Sequence, residues 1–198
     1  LALSKDEIEE ILKNAKTAIV IIDEAYVDFG AESAADLIPK YDNLIVVGTF
    51  SKSRSMAGIR IGYALGQKSL ISDLHRIKYS FNPYSLDGLA VLAGKASVED
   101  REYFENTKNK VIKTRENFMK ELKTLGFEVF DSKANFVFTK NDIISGEELY
   151  KQLRENNILV RYFDEDVLRD YVRISIGSDE NMEYTTNVLR GIIGNRGK

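Results

Sequence analysis

Leu44-Ile45-Val46-Val47-Gly48-Thr49-Phe50-Ser51-Lys52 is the stretch on which the fold of this chain turns. Leu44 to Val47 is a short apolar, β-branched run of the kind that forms a buried strand. It leads directly into a turn lined with hydroxyls that presents a single amine. Upstream, Ile19-Val20-Ile21-Ile22-Asp23-Glu24-Ala25-Tyr26 has the same form. Thr17 to Ile22 reads as a fully buried parallel strand, and the run ends on an acid. A short helix over Ala31 to Leu37, stopped before Pro39, is expected to join the two strands as a βα crossover. Both strands then end on one edge of an open sheet, where ligands of α/β proteins collect. Asp23 and Lys52 fall at that edge by sequence position.

The next apolar run, Ile59-Arg60-Ile61-Gly62-Tyr63-Ala64-Leu65, fixes the next step. A parallel return needs a connection of about a dozen residues or more. The span from Ser51 to Ile59 is shorter, so the strand Ile59 to Leu65 is expected to return antiparallel. That return carries Arg60 back to the ligand edge, near Lys52.

Around this nucleus the patterning is α/β. Ser4 caps a helix with Ile8, Ile11 and Leu12 at helical spacing. Helices are expected over Ser69 to Ser80, about Ser85 to Ala96, and Val98 to Leu125, the last stopped by Gly126. Strands follow at Glu128 to Phe130 and Phe136 to Thr139, then a helix at Gly146 to Asn156. Strands at Ile158 to Tyr162 and Val172 to Ile176 and a helix at Glu180 to Ile193 complete the chain. The expected division is residues 1–80 as part of a larger sheet domain, 81–97 as an interdomain helix, and 98–198 as a complete α+β domain.

With 198 residues, 43% hydrophobic and 30% charged, the chain has the composition of a soluble globular protein. A net charge of −3 argues against a general nucleic-acid binder. The absence of cysteine removes disulfides, thiolate catalysis and cysteine-based metal sites, and accords with an expected cytoplasmic location. No apolar run approaches the ~20 residues that span a bilayer. The single histidine, His75, sits among charged neighbours in a helical stretch and is expected to be exposed. One histidine without cysteine supplies too few parts for a zinc site or a cysteine–histidine nucleophile.

Three groups of residues can carry chemistry. Lys52 follows a buried strand between hydroxyls; partial burial and nearby cations would free its amine as a nucleophile. An amine next to an anion site suits pyridoxal phosphate, which has an aldehyde at one end and a phosphate at the other. Asp23 is either a strand-end acid bonded to a loop amide or a charge held against a pyridinium nitrogen. Tyr26 either packs or donates to the ring's phenolic oxygen; Glu24 is given no role. The same strand-plus-acid pattern occurs in P-loop nucleotidases, but Gly48-Thr49-Phe50-Ser51-Lys52-Ser53 lacks their second glycine and spacing. Arg161 and Arg173 form the third group. If their strands pair as a hairpin, the two fall at or near opposite positions, and an anion between them would relieve like-charge repulsion. Splayed, solvated side chains are the alternative.

In order along the chain, Asp23-Glu24-Ala25-Tyr26, Thr49-Phe50-Ser51-Lys52, Ala57-Gly58-Ile59-Arg60-Ile61-Gly62-Tyr63, Ala134-Asn135-Phe136-Val137, Ile158-Leu159-Val160-Arg161 and Arg173-Ile174-Ser175-Ile176-Gly177 resemble the fold-type I aminotransferases dependent on pyridoxal phosphate. Within them they are most similar to the branch acting on histidinol phosphate. The resemblance implies that Lys52 carries the cofactor as a Schiff base and shuttles a proton. It implies that Asp23 pairs with the pyridine nitrogen and Tyr26 with the 3′-oxygen, and that Thr49, Ser51 and Arg60 hold the phosphate. Arg161 and Arg173 would share the substrate's phosphate, or the carboxylates of glutamate. Family members are longer, so the chain is expected to be a C-terminal portion: part of a large domain, mostly parallel with one antiparallel strand, plus a complete small α+β domain. Alone it is expected to be inactive, to bind the cofactor weakly and to associate through uncovered apolar surface, whereas the intact enzyme is expected to be a homodimer. Another class I or II aminotransferase, a threonine-phosphate decarboxylase, or a non-catalytic dimerisation module are the alternatives.

Overall fold

Ser4 opens the first element: its hydroxyl accepts the Glu7 N–H at 3.3 Å while the Glu7 carboxylate accepts the Ser4 N–H at 2.7 Å. Helix α1 (Lys5–Asn14) follows and buries Ile8 and Leu12. The structure is a computed structural model that describes residues 2–194. Its residues form two compact units, Ala2–Asn106 and a second from Thr107 onward.

The first unit is organised by strands β1 (Val20–Asp23), β2 (Leu44–Thr49) and β3 (Gly62–Gly66), in the order β1-β2-β3. β1 and β2 are parallel, with Asp23 opposite Val47, so both end at the same edge. β2 and β3 are antiparallel, as the short connection between them requires, with Thr49 opposite Gly62. Ile8, Leu12, Ala34, Leu37, Leu44 and Val46 pack into one core on one face of this sheet, with Val20 and Ile22 against it.

Three expectations fail here. β1 is shorter than predicted and lies at the sheet edge, so only alternate residues are covered; Ile21 is 62% exposed. The crossover is built from two 3-10 turns, Val27–Phe29 and Ala35–Leu37, instead of a helix over Ala31 to Leu37. Gly30, at φ 114°, ends the first turn in a conformation that no helix continues. The run beginning at Ile59 is not strand at its start: Ala57–Ile59 is a 3-10 turn and Arg60, at φ 62°, is left-handed. Periodicity alone does not separate a short apolar turn from the start of a strand.

Helix α2 (Lys68–Phe81) buries none of its residues, and helix α3 (Gly88–Glu99) buries only Ala90 and Gly94. Phe81, Tyr84 and Leu89 stand at 90%, 91% and 78% exposure, well beyond scattered surface apolars. Helix α4 (Arg101–Thr124) begins after Asp100, whose carboxylate accepts the Tyr103 N–H at 3.1 Å. The continuous helix expected from Val98 is therefore interrupted, because that acid caps a new helix start. No helix among the described residues is long and apolar enough to cross a membrane.

In the second unit, strands β4 (Phe127–Val129), β5 (Phe136–Asn141), β6 (Arg161–Tyr162) and β7 (Tyr171–Ser175) form an antiparallel sheet in the order β4-β5-β7-β6. β6 is shorter than the predicted Ile158 to Tyr162. Gly126, at φ 79°, ends α4 where the sequence predicts it. Helices α5 (Gly146–Glu155) and α6 (Asp179–Gly194) supply Leu149, Leu153, Leu189 and Ile192 to a core completed by Phe118, Leu122, Val137, Val172 and Ile174. The other face of the sheet carries Phe136, Phe138, Tyr171 and Arg173 by strand alternation.

Leu149 has no exposure and sits within this cluster. Leu149→Ala removes apolar contacts and leaves a cavity, so urea unfolding of the chain should show a loss of about 2–5 kcal/mol in the second unit. An unchanged midpoint would mean that this core is not packed as described.

Candidate active site

The shared end of β1 and β2 gathers most of the residues that the sequence singles out. Asp23 closes β1 and is exposed; its Oδ1 accepts the Ala25 N–H at 2.9 Å, a local turn that redirects the chain. The strand-end carboxylate bonded to a loop amide is thus present, and its exposed side leaves room for a ligand. The turn delivers Tyr26, whose ring centroid lies 5.4 Å from Lys52 Nζ. Neighbouring Glu24 points the other way and is 8% exposed. It accepts from Ser33 Oγ at 2.8 Å and from the Ala34 N–H at 2.6 Å, tying the crossover back to the strand end.

β2 contributes the hydroxyls. Thr49 Oγ1 lies 3.0 Å from Ser51 Oγ and 3.3 Å from the Ile61 carbonyl, and accepts the Ser51 N–H at 3.1 Å. The Ile61 carbonyl also accepts the Phe50 N–H at 3.0 Å, which seats the residue following Arg60 against the β2 turn. Arg60 reaches this edge by its left-handed turn, not by a strand, and its Nη1 donates to the Ala57 carbonyl at 2.9 Å. Lys52 is exposed, not partly buried as expected.

Gly48 is required by space. A Cβ there would stand 2.3 Å from the Tyr63 ring, which crosses the strand at that point. Burial pushes the Tyr63 phenol above its ordinary pKa; the Asp28 and Glu24 carboxylates add to this and Arg54 opposes it. Two further groups at this edge have no signal in the sequence. Ser53, buried beside Lys52, donates to Asp28 Oδ2 at 2.5 Å, across a separation along the chain that no local pattern encodes. Hydroxyl and carboxylate alike are common turn residues, so only their meeting marks them.

The second unit holds the other constellation. Arg161 and Arg173 are direct partners across β6 and β7. Each guanidinium lies near an aromatic ring: Arg161 is 5.2 Å from the Phe163 centroid and Arg173 is 5.2 Å from that of Phe136. Arg173 Nε is buried without a hydrogen-bond partner. Beside them Phe138 and Tyr171 stack at 4.8 Å, with Phe130 against both at 6.0 and 5.7 Å. The two are paired by register but lean apart, Arg161 over Phe163 and Arg173 over Phe136, and Arg173 keeps an unsatisfied buried nitrogen that an anion could engage. His75 is exposed, stacking with Tyr79 at 6.0 Å.

An exposed amine, hydroxyls and a guanidinium at one edge suit a ligand with a carbonyl at one end and an anionic group at the other. Residues 1–189 match the family described as Aminotransferase class I and II. A histidinol-phosphate aminotransferase from Brachyspira hyodysenteriae is 52% identical over 196 residues, covering 98% of this chain and 55% of that protein. The chain therefore spans about half the length of the curated relatives it matches. The crystal structure of the histidinol-phosphate aminotransferase from Clostridium acetobutylicum superposes with a TM-score of 0.88 at 30% identity, covering 98% of this chain and 60% of that one. The Sinorhizobium meliloti histidinol-phosphate aminotransferase in complex with pyridoxal-5'-phosphate has the same fold, with a TM-score of 0.80 at 24% identity over 94% of this chain and 53% of that one.

Proposed function

Because the chain belongs to the class I and II aminotransferases, we propose that it is part of a pyridoxal 5'-phosphate-dependent enzyme exchanging an amino group between histidinol phosphate and 2-oxoglutarate in histidine biosynthesis. One observation carries this reading. The parallel pairing of β1 with β2 brings Asp23, Tyr26 and Lys52 to one edge, with the Lys52 amine 5.4 Å from the Tyr26 ring.

The residues present suit the cofactor. When bound, pyridoxal phosphate supplies an aldehyde for amine exchange and a ring that accepts electrons. Lys52 would hold the cofactor through its amine and would carry the proton to and from the substrate carbon that bears the amino group. Asp23 would hold a proton on the ring nitrogen, and Tyr26 would donate to the phenolic oxygen. Thr49 and Ser51 offer hydroxyls to the phosphate, and Arg60 offers its guanidinium. Arg161 and Arg173 bind the anionic end of either substrate: the phosphate of histidinol phosphate or a carboxylate of glutamate. We read residues 1–80 as part of the cofactor-binding domain, 81–97 as the interdomain helix and 98–198 as the small domain; the compact units divide at Asn106, within α4. The working form is a cytoplasmic homodimer, and the apolar surface at Phe81, Tyr84 and Leu89 supports association.

The test is an amino-transfer assay on the intact protein and on these 198 residues alone. The intact protein should convert histidinol phosphate with 2-oxoglutarate in preference to aromatic amino acids, and should release no carbon dioxide from threonine phosphate. The 198-residue chain should show no turnover, since half the length of the matching enzymes lies outside it. Preference for an aromatic amino acid, or decarboxylation, would overturn the substrate; absence of both reactions would favour a non-catalytic module.

A further inference from the structure

The turn that begins at Lys52 is closed by the Ser55 N–H donating to the Lys52 carbonyl at 3.1 Å, which makes Ser53 and Arg54 its two central residues. Both are tied down. Ser53 bonds to Asp28, as described above. Arg54 reaches away from the sheet: its Nη1 donates to the Ser97 carbonyl at 2.5 Å, and its guanidinium lies 4.0 Å from the Phe104 ring centroid and 5.4 Å from that of Phe50.

Ser97 lies in the last turn of α3, where carbonyls lack partners within the helix and the dipole favours a cation. Arg54 therefore satisfies a helix end and stacks on an aromatic ring of α4 at the same time. The turn also needs holding. Ser55 takes a left-handed backbone at φ 55°, which a residue other than glycine retains only where its surroundings impose it. The Met56 N–H, donating to the Phe50 carbonyl at 3.0 Å, closes the loop below the turn.

We propose that Arg54 is a positioning residue that fixes the Lys52 turn by locking it to the end of α3 and to Phe104. The role rests on Lys52 being the cofactor lysine. Lys52 itself is exposed, so its own side chain contributes little packing to hold its backbone in place. The two residues after it supply what it lacks: a short hydroxyl–carboxylate bond on one side and a guanidinium clamp on the other. Arginine suits the second task better than lysine, because one flat group can both stack and donate.

Hydrogen exchange on the 198-residue chain reads the clamp directly. Arg54→Leu should accelerate exchange of the amides at 52–56 about tenfold or more, while β2 amides 45–47 and the α6 amides keep their rates. Arg54→Lys, which retains a donor for the Ser97 carbonyl, should restore part of the protection. Phe104→Leu leaves that bond in place and should produce a smaller acceleration in the same segment. In the intact protein, Arg54→Leu should lower kcat about tenfold with KM for both substrates within about twofold, since Arg54 contacts neither. Unchanged exchange at 52–56, or acceleration spread evenly through β2 and α3, would overturn the proposal. If the cofactor adduct maps to another lysine while the exchange pattern holds, the clamp stands and the functional assignment of Lys52 falls.

Discussion

Lys52→Ala in the intact protein is expected to abolish both the borohydride-trapped pyridoxyl adduct and amino transfer, with a loss in kcat of at least about 10³-fold. The argument is geometric. At the shared strand edge Lys52 stands beside Tyr26, and Asp23 closes the neighbouring strand. The other groups there are hydroxyls, a carboxylate and a guanidinium, none of which condenses with an aldehyde to an imine that borohydride would trap. Because Lys52 is exposed, removing its side chain creates no cavity, and the variant should unfold at the temperature of the cofactor-free wild type. Lost chemistry with retained stability separates a catalytic lysine from a structural one. Digestion and mass spectrometry of the reduced wild-type protein should locate the adduct on the peptide containing Lys52. An adduct elsewhere, or one that persists in the variant, would refute the assignment.

The second large effect is expected at Arg173. Arg173→Gln should reduce kcat/KM for histidinol phosphate by roughly 10²–10³-fold, the scale of losing one charge-assisted partner of a bound anion. The affinity for glutamate should fall in parallel if, as proposed, the same pair binds both substrates. Stability should change little. Arg173 faces Arg161 directly across the strands, and its Nε is buried without a partner. Removing a buried nitrogen that has no partner and one of two neighbouring like charges costs little, so the variant should be about as stable as the wild type. A loss of activity accompanied by an equal loss of stability would indicate a packing role. Unchanged kcat/KM for both substrates would show that the pair is merely solvated.

Particular residues show what could be read along the chain and what could not. Asp23 and Lys52 were legible because each ends or follows an apolar run, and parallel strands place such ends together. The antiparallel return of β3 was legible from the length of one connection. The facing of Arg161 and Arg173 was legible as a condition, that their strands pair, and the register meets it. Arg60 was placed at the right edge by the wrong element: a left-handed residue after a 3-10 turn looks, in sequence, like the start of a strand. The exposure of Lys52 and of Ile21 was missed because burial belongs to a face, and which faces are covered depends on neighbours that no local pattern names.

Taken alone, the order of residues determined the α/β class, the strand ends where the candidate site lies and the family resemblance. These follow from short-range rules: side-chain periodicity, cap and turn chemistry, and connection length. Folding decided which distant groups meet. Glu24 with Ala34, Ser53 with Asp28 and Arg54 with Ser97 are pairings of ordinary surface residue types. Each arises because packing brings separate segments within hydrogen-bond distance, a condition that spacing along the chain does not contain.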